Sequence, residues 1–118
     1  MKKLVGVGSH HEWEVNELRE DREFALAYLQ VALESLDTPE ERGGGLLALR
    51  ALAEAYGGLG VVAAEAGISR ESLYRALSPK GNPTLKTLIA VLNTLGLRLS
   101  IAEPVKKKRA KPSRKLAA

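Results

Sequence analysis

The sequence contains no cysteine, which removes disulfides and thiolate metal sites from consideration and suits a reducing compartment. No apolar run approaches the roughly 20 residues that a membrane span needs, and the start Met1-Lys2-Lys3-Leu4-Val5-Gly6-Val7-Gly8 is too short for a signal peptide. A cytoplasmic protein that does not span a membrane is expected. The run Gly43-Gly44-Gly45 is followed by leucines and lacks the Gly-Lys-Ser/Thr ending of a nucleotide loop. The adjacent His10 and His11 do not share a helix face, and no partner is placed beside them for a metal or a general base. No catalytic residue, metal or cofactor is therefore expected. Acid is also missing from Pro104 onward, where Lys106, Lys107, Lys108, Arg109, Lys111, Arg114 and Lys115 stand unopposed.

What is present is 118 residues, 45% of them hydrophobic, enough for the core of one small domain and not for two. The net charge of +4 conceals a polar distribution along the chain. Residues 10 to 41 hold ten acids against Arg19 and Arg22, whereas residues 66 to 102 hold Arg70, Arg75, Lys80, Lys86 and Arg98 against Glu71 alone. The acidic part reads as a solvated helix face or as a surface that attracts a basic partner, and the basic part as an electrostatic footprint for phosphate.

The most specific pattern lies inside the basic half, from Val62 to Leu77. Ala63 offers the small residue that lets two helices cross steeply, and Gly67 suits a left-handed turn that costs a residue with Cβ roughly 1 to 2 kcal/mol. Ser69 can cap the next helix, whose Leu73, Ala76 and Leu77, with Ile68, face the core. Arg70, Glu71, Ser72, Tyr74 and Arg75 are left on or near the outward face. This is the order of a helix-turn-helix, whose second helix enters the major groove by its N-terminal end; an ordinary helical hairpin can carry the same spacing.

Around this motif the chain divides into an acidic, flexible segment over residues 1–20, a helix-turn-helix domain over 21–102 and a basic, disordered tail over 103–118. In the first segment Trp13, Val15 and Leu18 are apolar anchors. Phe24, Tyr28, Leu29, Ala32, Leu33 and Leu36 recur at helical spacing and predict a helix from about Asp21 to Leu36. Thr38-Pro39-Glu40-Glu41 reads as a helix start, with Thr38 the cap, Pro39 at the first position and Glu41 returning the capping bond. Each glycine of Gly43-Gly44-Gly45 costs a helix interior about 0.8 to 1 kcal/mol, so a break is expected there, with the helix resuming at Leu46. Ser78 to Pro83 is a loop, with Asn82-Pro83 as cap and first position of a further helix that Gly96 ends. Leu97-Arg98-Leu99-Ser100-Ile101 alternates like a half-buried strand, which would have to pair with a second copy or another protein. The expected fold is all-α: a small bundle of about five helices with a Cro/repressor-type helix-turn-helix and a short C-terminal β-strand.

The chemistry assigned to this frame is the reading of double-stranded DNA. Arg70 and Arg75 can each hold a guanine by two hydrogen bonds, worth roughly 1 to 3 kcal/mol of discrimination. Ser69, Glu71 and Ser72 stand at the groove-entering end; Glu71 can accept from cytosine or simply stabilise the helix dipole. Tyr74 has a phosphate, a thymine methyl or half-buried packing open to it. Lys80, Asn82, Thr84 and Lys86 are placed to hold backbone phosphate, and the lysines can equally be solvated surface charge. The tail adds phosphate contacts, solubility or an RNA contact.

The stretch Ala63 to Leu77, the loop Leu77-Ser78-Pro79-Lys80-Gly81-Asn82-Pro83-Thr84 and the following Leu85 to Leu99 together resemble the addiction-module antidote proteins, small HigA-like antitoxins of the Xre type. Tyr28-Leu29 and Ala32-Leu33-Glu34 look like that family's first helix, so the resemblance covers residues 20 to 102. It implies an antitoxin that neutralises a RelE/ParE-like toxin and represses its own operon by binding operator DNA; with the unpaired strand, a homodimer that works at the nucleoid is expected. A repressor without a toxin, and a module whose motif binds only protein, are the alternatives. Three departures stand out: the tri-glycine falls where the family continues a helix, the basic tail is longer than the family core requires, and Gly60-Val61 occupy the start of the first motif helix, where phage-type repressors often place a glutamine. Only backbone N–H groups remain there for a phosphate.

Overall fold

In the computed structural model, residues 10–104 are described, and they form six helices: α1 His10–Glu20, α2 Arg22–Ser35, α3 Pro39–Ala55, α4 Leu59–Ala66, α5 Arg70–Ala76 and α6 Leu85–Thr94. The all-α class holds, but there are six helices rather than five, and no strand occurs among the described residues.

The additional helix is α1. From His10 onward the stretch read as flexible is helical, and its Val15 and Leu18 are buried in the core that the later helices share. Its four acids, Glu12, Glu14, Glu17 and Glu20, hide it in the sequence, because the apolar contribution of α1 is confined to a few positions on one side. Two long-range bonds secure its end: the Tyr56 hydroxyl donates to the Leu18 carbonyl at 3.1 Å, and Arg19 Nε to the Ala55 carbonyl at 3.4 Å. Val15 and Leu18 of α1 thus share one core with the helices that follow. Residues 1–9 and the tail from 105 lie outside the described residues.

Helix α2 starts as its sequence prescribes, Asp21 accepting from the Phe24 N–H at 3.1 Å. Helix α3 begins at Pro39, but the Thr38 side chain makes no capping bond; the Thr38 carbonyl takes the N–H groups of Glu41 and Arg42 instead, both at 2.9 Å. The expected break at Gly43-Gly44-Gly45 does not occur. Three glycines cost about 2.4 to 3 kcal/mol of helix propensity, whereas Leu46, Leu49 and Leu52, which an unbroken helix carries into the core, each contribute roughly 1.5 to 3 kcal/mol on full burial. Packing wins, and one glycine serves it directly: a Cβ on Gly45 would lie 2.7 Å from the Ala32 carbonyl oxygen of α2, while one on Gly44 would meet nothing within 4 Å. The neighbouring substitutions should have opposite signs. Gly44→Ala is expected to raise stability by about 0.8 to 1 kcal/mol, and Gly45→Ala to lower it by about 1 to 3 kcal/mol. Urea unfolding of both variants checks this; a common sign would contradict the close approach of α2 and α3.

Helices α4, α5 and α6 complete the bundle, α4 packing on both of the others. Helix α6 starts later than Asn82-Pro83 suggested: its cap is Thr84, which accepts from the Thr87 N–H at 3.1 Å. It ends where expected, with Gly96 at φ 80° and the Leu97 N–H bonded to the Leu92 carbonyl at 2.8 Å. This bond explains the missing strand. Leu97 turns back onto the core as part of the α6 cap, and beyond it Leu99 and Ile101 are exposed, the latter at 95%, with no neighbouring strand among the described residues. Alternation alone cannot make a ladder without a partner to accept its hydrogen bonds.

No single described helix is long and apolar enough to cross a membrane; α3 and α4 together reach the length and composition, but they meet at a bend of 104°.

Candidate nucleic-acid interface

The unit α4–Gly67–α5 is built by local rules. Gly67 adopts φ 74° and ψ 30° after α4. Its N–H bonds to the Ala64 carbonyl at 3.1 Å and the Ile68 N–H to the Ala63 carbonyl at 3.0 Å, the paired bonds of a Schellman cap. Ser69 then caps α5, its Oγ accepting from the Ser72 N–H at 3.0 Å. Leu73 and Leu77 are fully buried, and Ile68 packs on the core. Two short helices are in this way fixed to each other by backbone bonds and to the core by leucines, a rigid support for the opposite face.

On that face Arg70, Glu71, Tyr74 and Arg75 are exposed and Ser72 is half-buried. Ser69, Ser72 and Arg75 form one hydrogen-bonded series: Ser69 Oγ to Ser72 Oγ at 3.0 Å, and Arg75 Nη2 to Ser72 Oγ at 3.4 Å. The series aligns the Arg75 side chain along the first turns of α5. Arg70 lies beside the start of α4, a Cβ on Gly60 falling 3.8 Å from its Cδ. The first turn of α4 has no side-chain cap, so its N–H groups and the Arg70 guanidinium border the same region. Lys86 reaches back from α6 to the motif turn, its Nζ 3.2 Å from where a Cβ on Gly67 would stand.

The remaining expected residues are arranged differently. Lys80 is exposed in the turn closed by the Gly81 N–H to the Ser78 carbonyl at 2.7 Å. Asn82 is exposed but does not stand alone, since its Oδ1 accepts from Arg42 Nη2 at 3.3 Å, and Arg42 also holds the Leu36 carbonyl at 3.1 Å. The Thr84 hydroxyl is committed to α6, capping it and donating to Thr87 Oγ1 at 3.1 Å.

Two arginines of α3 escaped the sequence reading. Arg42 carries a charge to Asn82. Arg50 places its guanidinium 4.0 Å above the centre of the Tyr74 ring and donates to Ser78 Oγ at 3.3 Å, while Ser78 Oγ donates to the Tyr74 carbonyl at 2.7 Å. The ring is thereby fixed half-exposed, at 50%, on the outer side of α5. The available signal was that Arg50 is the only cation between residues 43 and 59, a polar interruption in an apolar helix. No three carboxylates or histidines come together to hold a metal among the described residues.

An uncharacterized protein of Haemophilus influenzae is 48% identical over 42 residues, which span 36% of this chain and 43% of that protein. No solved structure matches. Residues 9–103, which take in all six helices, match the family described as probable addiction module antidote protein, and the chain belongs to that family.

Proposed function

We propose that this chain is the antidote of a toxin–antitoxin module, one that neutralises a RelE/ParE-like toxin and represses its own operon by binding operator DNA as a homodimer. Family membership supports the antidote role. The observation that carries the DNA role is the exposed face of α5 beside Arg70, on two helices locked by the Gly67 and Ser69 bonds.

In this reading the N-terminal end of α5 enters the major groove. Arg75, aligned by Ser72, reads a base edge, and Arg70 either reads a second base or holds phosphate with the first N–H groups of α4. Ser69, Glu71 and Ser72 shape the entering end, and Tyr74 contacts the backbone or a thymine methyl. Lys80 and Lys86 hold phosphate, Asn82 does so with Arg42, and Thr84 does so only through the helix start it caps. Two copies would read two half-sites about 34 Å apart. The activity is binding, without catalysis, and its place is the nucleoid.

The test is Arg75→Ala against the parent chain in an anisotropy titration with the DNA upstream of the operon. Operator affinity should fall by about five- to a hundredfold, with toxin capture retained. Equal affinity for both proteins would remove Arg75 from base reading, and salt-independent or absent DNA binding by the parent would remove the DNA role itself.

A further inference from the structure

On the side of α3 that meets Tyr74, the helices α1, α2 and α3 border an open cleft of about 510 Å³, which Tyr74 of α5 closes at one end and which continues along α2 and α3 into a second of about 530 Å³. The two share Tyr28, Gly44 and Ala48. The floor is small and apolar: Gly44, which has nothing within 4 Å of its Cβ position, with Ala48 and Ala32. Val31, 62% exposed, and Leu47 stand at the lips.

Besides His10 and His11, the polar rim is dominated by carboxylates. Glu14 and Glu54 line the first part, and Glu40 and Glu41 the second, against the single guanidinium of Arg50, which is already seated on Tyr74. Glu14 bonds to the Tyr28 hydroxyl and Glu54 to His11 at 2.6 Å, so both carboxylates are held in place. Glu40 and Glu41 pair with no cation among the described residues. Nucleic acid is repelled by such a rim. From Glu40 to Glu54 the lining of α3 runs roughly 20 Å, the length of an amphipathic helix of about 14 residues.

We infer that this cleft is the surface on which the antidote holds its toxin, and that the occupant is a basic amphipathic helix of the toxin, its apolar side on Gly44 and Ala48 and its cations against Glu40, Glu41, Glu14 and Glu54. The inference rests on the antidote reading proposed above. The missing side chain at Gly44 lets the partner backbone approach α3 closely, and the carboxylates fix its direction.

Gly44→Leu separates this role from folding. The Cβ of the leucine meets nothing within 4 Å, the rest of the side chain projects into the open cleft, and a glycine inside a helix is replaced, so the thermal midpoint should be unchanged or raised. The probe is the purified product of the gene adjoining that of this chain, titrated calorimetrically against the parent, Gly44→Leu and the double variant Glu40→Lys, Glu41→Lys. Both variants should bind it about tenfold or more weakly, with operator binding unchanged, and the parent complex should weaken as salt rises. Parent-like affinity in both variants overturns the cleft as the docking surface and leaves the antidote reading standing. Failure of the parent to bind the toxin overturns the antidote reading and this surface with it.

Discussion

Leu18→Ala should destabilise the protein by about 2 to 5 kcal/mol, a large part of the roughly 5 to 15 kcal/mol that holds a small domain together. Leu18 is fully buried although it belongs to the acidic first helix. Its truncation would leave a cavity bounded by α3, on which α1 packs, and by α2, and the backbone on both sides is tied: the Leu18 carbonyl accepts from Tyr56 and the next residue, Arg19, donates to Ala55. These bonds limit collapse into the cavity, which places the cost away from the lower end of the range. Trp13→Ala on the same helix, where the ring is 54% exposed, should change the urea midpoint far less. A Leu18→Ala midpoint within error of the parent would mean that α1 is an appendage and not part of the core.

The second large effect is expected at Gly81. A Cβ there would stand 2.1 Å from the Ala76 carbonyl oxygen and 2.5 Å from the Arg75 carbonyl oxygen. Both obstacles are backbone at the end of α5, so no side chain can swing aside. Gly81→Ala must displace the turn that the Gly81 N–H closes on Ser78, with an expected cost of about 3 kcal/mol. Because Lys80 and Asn82 flank that glycine, operator affinity should fall as well, even at temperatures where the variant remains folded. Thermal unfolding and the anisotropy titration read the two effects separately; a variant with parent-like midpoint would show that the loop relaxes freely around the methyl group.

The two sites illustrate which features a sequence discloses. The Gly67 turn, the Ser69 cap and the burial of Leu73 and Leu77 depend on residues within a few positions of one another, and all were legible. The course of α3 through its glycines was not, because the deciding contact is with the Ala32 carbonyl on another helix. The neighbouring Pro83 marks Asn82 as a helix cap, whereas its partner Arg42 lies 40 residues away. Thr84 took the capping role, which Asn82 could equally have filled on local grounds. The strand at Leu97–Ile101 shows the same limit from the other side: a local alternation was present, but the hydrogen-bonding neighbour that would give it meaning was absent among the described residues.

The placing of Tyr74 has a thermodynamic consequence. Its ring lines one end of the cleft and also stands half-exposed on α5, held by Arg50 from α3. On the two proposed readings both ligands would touch this ring, which gives their affinities a route by which to be coupled. If a toxin in the cleft changes operator affinity by some factor through this ring, the operator changes toxin affinity by the same factor, as a closed cycle of binding steps requires. The amount of DNA occupied would then report the amount of free toxin, with a single tyrosine–arginine stack as the coupling element.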